Sequence, residues 1–109
     1  MTKKELALLD EVLNMPKSEW TKMNKSAPWQ GSLYKVVKNG YSFCISYKIP
    51  IAMKTPKGEF VRLWYGYSKT SMGHLSSWCI DEKLPIVNGK KWDALVIGRK
   101  YSAEKIEKI

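Results

Sequence analysis

Phe60, Arg62 and Trp64 alternate along one short stretch of the chain. Period-two spacing puts all three on one face of a β-strand. Lys35, Lys48 and Lys54 take neighbouring positions on that face once the preceding segments are laid alongside. Aromatic rings set among cations suit single-stranded nucleic acid: bases stack on rings while lysines neutralise phosphates. The same pattern also suits burial, with a helix covering Phe60 and Trp64 while Arg62 reaches solvent. The sequence leaves both readings open. The pattern does not match the aromatic signature of the common RNA-recognition sheet module.

A second cluster follows directly. Tyr65, Gly66, Tyr67, Ser68, Lys69, Thr70 and Ser71 lead to His74, the single histidine of the chain. Hydroxyls, glycine and lysine ahead of a helix can form an anion-binding turn, because backbone donors and the helix dipole favour negative charge there. The spacing is not that of a P-loop. The simpler expectation is a strand end followed by a helix cap.

Catalytic chemistry has little to work with. A Cys44–His74 or Cys79–His74 pair would be the only thiol–imidazole dyad, and nothing local supports one. Adjacent Asp81 and Glu82 read as solvated loop charges rather than a tuned acid–base pair. A histidine-independent ribonuclease would have to rely on Tyr65, Tyr67, Arg62 and Lys69. Two cysteines without a CxxC and one histidine leave a zinc site short of ligands. Both thiols are expected to be reduced, buried hydrophobes. No cofactor motif is present.

These residues must be positioned by elements that the periodicity outlines. Thr2 and Glu5 have capping-box spacing, and Leu6, Leu9 and Leu13 form a helical stripe, a core face or a surface for a partner helix, ended by Pro16. Ser18 is placed to cap a short second helix through Glu19, Trp20 and Met23, with Pro28 and Gly31 closing that region. Asn39-Gly40 marks a type I′ hairpin turn, pairing Lys38 with Tyr41, Val36 with Phe43 and Tyr34 with Ile45. Alternation then continues through Tyr47, Ile49, Ile51 and Met53, with Pro50 signalling a bulge or break. Pro56-Lys57-Gly58 makes a three-residue turn that sets Met53 opposite Val61, Ile51 opposite Leu63 and Ile49 opposite Tyr65. Thr70 is expected to cap a helix carrying Met72, Leu75, Trp78 and Cys79. Asn88-Gly89 offers another turn, Trp92 to Ile97 a buried strand, and Ser102 a short terminal helix. The expected fold is α+β: an antiparallel three- to four-stranded sheet, N-terminal helices and one or two short C-terminal helices, packed on one sheet face as a single domain over 1–109.

Charge sharpens the expectation. The chain of 109 residues carries a net +9, and between residues 20 and 80 nine cations face a single acid, Glu59. A field concentrated in this way attracts phosphate backbones or an acidic protein surface. Seventeen of the 19 cations are lysine, which suits charge contact better than bidentate base readout. The lysines at the N-terminus are followed by leucines interleaved with Asp10 and Glu11, which is not a signal peptide, so a cytoplasmic protein is expected.

Two function classes lead, with the histidine-independent ribonuclease as a further alternative. One is a small, non-enzymatic binding protein that uses the sheet residues Lys35, Lys48, Lys54, Phe60, Arg62 and Trp64, with Lys69, against RNA, single-stranded DNA or a nucleoprotein. The other is an inhibitor of the kind phages and mobile elements use, bound directly to a host or defence protein such as a CRISPR nuclease.

Overall fold

The computed structural model describes residues 1–23 and 32–109. Pro28 and Gly31, expected to close the N-terminal region, and the cation Lys25 lie outside the described residues.

Helix α1 spans Lys3–Asn14 and begins with the expected capping box: the Thr2 hydroxyl accepts from the Glu5 N–H at 3.1 Å, and the Glu5 carboxylate accepts from the Thr2 N–H at 2.9 Å. Its buried face differs from the expected leucine stripe. Leu8 and Val12 are buried with Glu5, whereas Leu6 is 53% and Leu13 40% exposed. Glu5 sets this rotation, because its carboxylate also accepts from Tyr41 at 2.8 Å and pairs with Lys100 at 3.0 Å. An inward Glu5 carries positions 8 and 12 with it.

The sheet is an antiparallel meander of six strands in chain order: β1 (Thr21–Lys22), β2 (Leu33–Lys38), β3 (Tyr41–Ser46), β4 (Ile49–Lys54), β5 (Phe60–Arg62) and β6 (Lys100–Tyr101). The β2–β3 register is the expected one, with Lys38 opposite Tyr41, Val36 opposite Phe43 and Tyr34 opposite Ile45. Asn39 and Gly40 both take positive φ, as a type I′ turn demands. Met53 lies opposite Val61, and Gly58 sits at φ 82° in the three-residue turn.

Three to four strands were expected, and three features account for the larger number. The run from Tyr41 to Met53 is two strands, not one, folded at a tight Tyr47-Lys48 turn in which Tyr47 adopts φ 59°. A bulky residue in that region of φ gives no sequence signal of a turn. Residues 21–22 form β1 where a helix through Trp20 and Met23 was expected, and only Lys17–Glu19 make a 3-10 turn. Lys100–Tyr101 add β6 at the far edge. Pro50 does mark a bulge: Cys44 opposes Ala52 and Ile45 opposes Pro50, which leaves Ile51 as the extra residue.

Helices cover both faces of this sheet rather than one. Against α1 lie Val36, Phe43, Ile45, Met53 and Val61. The opposite face, with Leu33, Cys44, Ala52 and Phe60, is covered by α2 (Lys69–Asp81) through Met72, Leu75, Trp78 and Cys79. The helix α3 (Gly89–Ala94), with Trp92, and α4 (Ala103–Glu107), with Ile106, complete that layer. Ser68, not Thr70, caps α2, accepting from the Ser71 N–H at 3.0 Å. Residues 92–97 are not a strand. Asn88 precedes a helix whose Trp92 N–H reaches the Asn88 carbonyl at 2.7 Å, and the buried Trp92 ring fixes that turn in place. Among the described residues, no helix is long and apolar enough to cross a membrane.

Candidate functional site

The expected cationic, aromatic sheet face is assembled and then closed. Lys35, Ser42, Cys44, Lys54, Phe60 and Arg62 do share one face, as the cross-strand register requires. Phe60 is nevertheless fully buried, edge-on to Trp78 with ring centroids 6.1 Å apart. Uncovering it means detaching Leu75, Trp78 and Cys79 of α2, all at 0% exposure. Each large side chain is worth about 1.5–3 kcal/mol in burial. One stacked base returns only about 1–3 kcal/mol. Phe60 is therefore core and offers no face to a base.

The lysines of that face are also engaged. Lys35 pairs with Asp81 and Glu82, each at 2.6 Å, and Lys54 with Glu82 at 3.5 Å. Ser42 donates to the same Glu82 carboxylate. Burial opposes the charge on Glu82, yet Lys35 and Ser42 hold its carboxyl below the ordinary range. Asp81 and Glu82 are thus the C-terminal end of α2, clamped to the sheet, and not solvated loop charges.

Arg62 has the most distinctive environment. It is 7% exposed and points inward, not to solvent. Its Nε donates to the Trp64 carbonyl at 2.7 Å and Nη2 to the Tyr65 carbonyl at 3.0 Å. Nη1 donates to the carbonyls of Trp92 at 2.8 Å and Leu95 at 3.3 Å. The guanidinium carbon lies 4.3 Å from the Trp92 ring centroid. Such a cation is costly to bury unless its donors are satisfied, and here four carbonyls satisfy it. Arg62 organises the fold and has little left for a phosphate, which removes it from both the binding set and the ribonuclease set.

What Arg62 organises is the segment from Trp64 to Tyr67. Its grip holds the carbonyls of residues 64 and 65, and the Trp92 indole N–H holds the carbonyl of Gly66 at 2.9 Å. Trp64 is half-buried, its indole folded onto Gly66: a Cβ at position 66 would lie 2.3 Å from Trp64 Cζ2. Only glycine fits under that ring. Tyr67 rests against the first residue of α3, with its hydroxyl 3.7 Å from where a Gly89 Cβ would sit. With its carbonyls tied inward, the loop presents its side chains outward. Tyr65 is 83% and Tyr67 60% exposed.

Free cations lie on the elements that flank this loop and on the β3–β4 turn. Lys69 starts α2, Lys90 follows Gly89, and Lys48 lies in the β3–β4 turn. All three are exposed, and among the described residues none forms an ion pair. The β3–β4 turn reaches this end through a buried polar trio. Ser46 Oγ lies 2.8 Å from His74 Nδ1 and 3.0 Å from Ser71 Oγ, and the Tyr47 ring packs on His74 at 5.6 Å. His74 therefore joins a strand end to a helix, and at 3% exposure it is closed to a substrate. Both thiols are buried as expected. Burial pushes Cys79 up to about 11 and raises Cys44 well above the ordinary thiol range, away from nucleophilic reactivity. Among the described residues, no group of three or more His, Cys, Asp or Glu side chains could hold a metal ion.

Of the seven expected site residues, then, Lys48 and Lys69 remain available at this end, Lys35 and Lys54 are paired, and Phe60, Arg62 and Trp64 serve the interior. Tyr65 and Tyr67, which the sequence offers in an anion-binding turn and as ribonuclease candidates, are the exposed aromatic side chains at this end. The signal that finds them is the glycine between two tyrosines after an arginine strand.

A helix-covered antiparallel meander with a braced aromatic loop at one end defines a small α+β domain. The chain belongs to a family of unknown function, DUF8033, whose model matches residues 19–94. That span holds β1 to β5, α2, α3 and the whole braced loop. No curated protein and no solved structure matches the chain.

Proposed function

We propose that this chain is a non-enzymatic binding protein that engages nucleic acid, or a nucleoprotein, through the end bearing Lys48, Lys69 and Lys90 around Tyr65 and Tyr67. One observation carries the reading: these lysines are exposed and unpaired beside two exposed tyrosines, whereas Lys35 and Lys54 are neutralised by α2. Unpaired lysines are free to neutralise phosphates and release the counterions condensed on them, so affinity depends steeply on salt. Titration of labelled RNA and DNA, single- and double-stranded, at several salt concentrations tests it. Replacing Lys48, Lys69 and Lys90 by glutamine should lower the slope of log affinity against log salt by about 2–3. Absence of binding to every probe, even at low salt, would overturn the proposal.

A second reading, direct binding of a host or defence protein, is favoured by a different place. A groove of about 530 Å³ runs along the outer edge of β2, lined by Met15, Met23, Val36 and Val37 with Lys35 and Asp81. Val37 is 64% exposed there, and Ile80, beside Asp81, is 63% exposed. Among the described residues, β1 pairs with Tyr34 and Lys35 of this strand, and the Met23 N–H donates to the Leu33 carbonyl at 2.9 Å. A stoichiometric complex with one protein, lost on Val37→Asp and not on lysine replacement, would establish this reading in place of the first.

A further inference from the structure

We infer that the loop from Trp64 to Tyr67 is a preformed platform for two unstacked bases of a single strand, Tyr65 taking one and Tyr67 the next. The inference rests on the binding function proposed above and names its ligand.

Three observations carry it. The first is that the rings are unused. Among the described residues, the Tyr65 side chain has no ring or hydrogen-bond partner, and Tyr67 has one side against Gly89. The second is rigidity. Carbonyls 64, 65 and 66 are each held from inside, by Arg62 or Trp92, and the Trp64 ring fills the space over Gly66. A loop already fixed in its presenting form loses little further freedom on binding, and tyrosine adds only two rotatable bonds.

The third is spacing. Residues 63–68 form no helix or turn, and residues two apart in an extended chain lie roughly 6.6 Å apart. Stacked bases in a duplex rise only about 3.4 Å per step. Neighbouring bases must therefore separate by about one ring thickness for each to meet its own tyrosine. A single strand opens in this way readily, whereas a duplex must first unpair. Ring faces accept any base, and the surrounding cations are lysines, so little sequence preference is expected.

Fluorescence anisotropy with a labelled 12-nucleotide oligouridine, oligothymidine of the same length and a 12-base-pair duplex tests this. Tyr65→Leu and Tyr67→Leu should each weaken single-strand binding about 5- to 150-fold, the equivalent of one lost stacking contact. Tyr65→Phe and Tyr67→Phe should retain it to within about threefold, because the ring face is kept. Near-UV circular dichroism of each variant reports that the fold is intact. Duplex bound as tightly as single strand, with no loss in the leucine variants, would overturn the platform and leave charge-based binding standing. No binding to any probe would overturn both.

Discussion

Phe60 meets Trp78 edge-on, with ring planes inclined at 63° across the layer between the sheet and α2. That contact decides the fate of a whole face. A strand that alternates aromatic and cationic residues looks like a binding surface, and the indole from the helix above makes it core.

The first prediction follows from that contrast. Phe60→Ala should destabilise the fold by about 3–5 kcal/mol, the range for emptying a buried phenylalanine site. Tyr65→Ala should stay within about 0.5 kcal/mol of the parent, because its side chain contributes little to packing. Urea denaturation of the two variants reads both values. Equal losses would mean that Tyr65 is structural.

Arg62 is predicted to be intolerant of its nearest chemical relative. Lysine keeps the charge but cannot span four carbonyls with one ammonium. Arg62→Lys should cost about 2–4 kcal/mol through lost charge-assisted hydrogen bonds and orphaned acceptors. It should also change the near-UV signal of the tryptophans, since Trp92 stacks on the guanidinium and Trp64 borders it.

Gly66→Ala tests the same loop from the other side. The new methyl would sit 2.3 Å from the Trp64 ring, so the indole must leave. Overpacking of this kind costs about 1–3 kcal/mol. Intrinsic fluorescence should shift to the red as Trp64 enters water, and binding by the loop should fall although neither tyrosine has been touched.

Acid should expose the Glu5 contribution. Burial disfavours its charge, but the Thr2 N–H, Lys100 and Tyr41 together hold the carboxyl down to about 2 from 4.5. Its folded value lies below its unfolded one, so the stabilisation is complete above about pH 4.5 and is lost as pH falls through about 2. The gap corresponds to on the order of 3 kcal/mol at about 1.36 kcal/mol per pH unit. Denaturation midpoints between pH 5 and pH 2 should fall less steeply in Glu5→Gln, which is already destabilised at pH 6.

The thiols give a simple check on the interior. Cys44 and Cys79 should not react with a thiol reagent in native buffer and should both react once urea unfolds the chain. Fast native labelling of either would contradict the packing of α2 on β3.

Local chemistry was legible in the sequence, and tertiary cover was not. Asn39-Gly40 fixed a hairpin register to the residue because two positive-φ positions admit few other solutions. Gly58 did the same for the next turn. Tyr47 carries no turn signal in the sequence because a tyrosine at φ 59° is an exception that its surroundings must enforce, here through the His74 ring and the Ser46 anchor. Trp92 read as a strand residue, since a buried tryptophan fits either period and only the Arg62 contact selects the helix. Alternation sorts the two faces of the sheet except at the bulge, where Ile51 packs with Cys44 and Phe60 and not with Met53, and it says nothing of what lies above a face. For that reason the proposed binding residues lie on the loop beyond the sheet and not on its face.

The clamp of Lys35 and Lys54 on Asp81 and Glu82 also bears on how the chain assembles. The last turn of α2 carries no basic residue, and its acids sit where the helix's own dipole is negative, an arrangement that weakens an isolated helix by about 0.3–1 kcal/mol per charge. The cations that reverse this sit on β2 and β4, and they face the helix only after the meander has paired. The order of events is thereby biased: hairpins first, in microseconds from a two-residue turn, and α2 condensing onto a finished sheet afterwards. A peptide of residues 68–82 should be largely unfolded in water, and mutations in α2 should speed unfolding more than they slow folding.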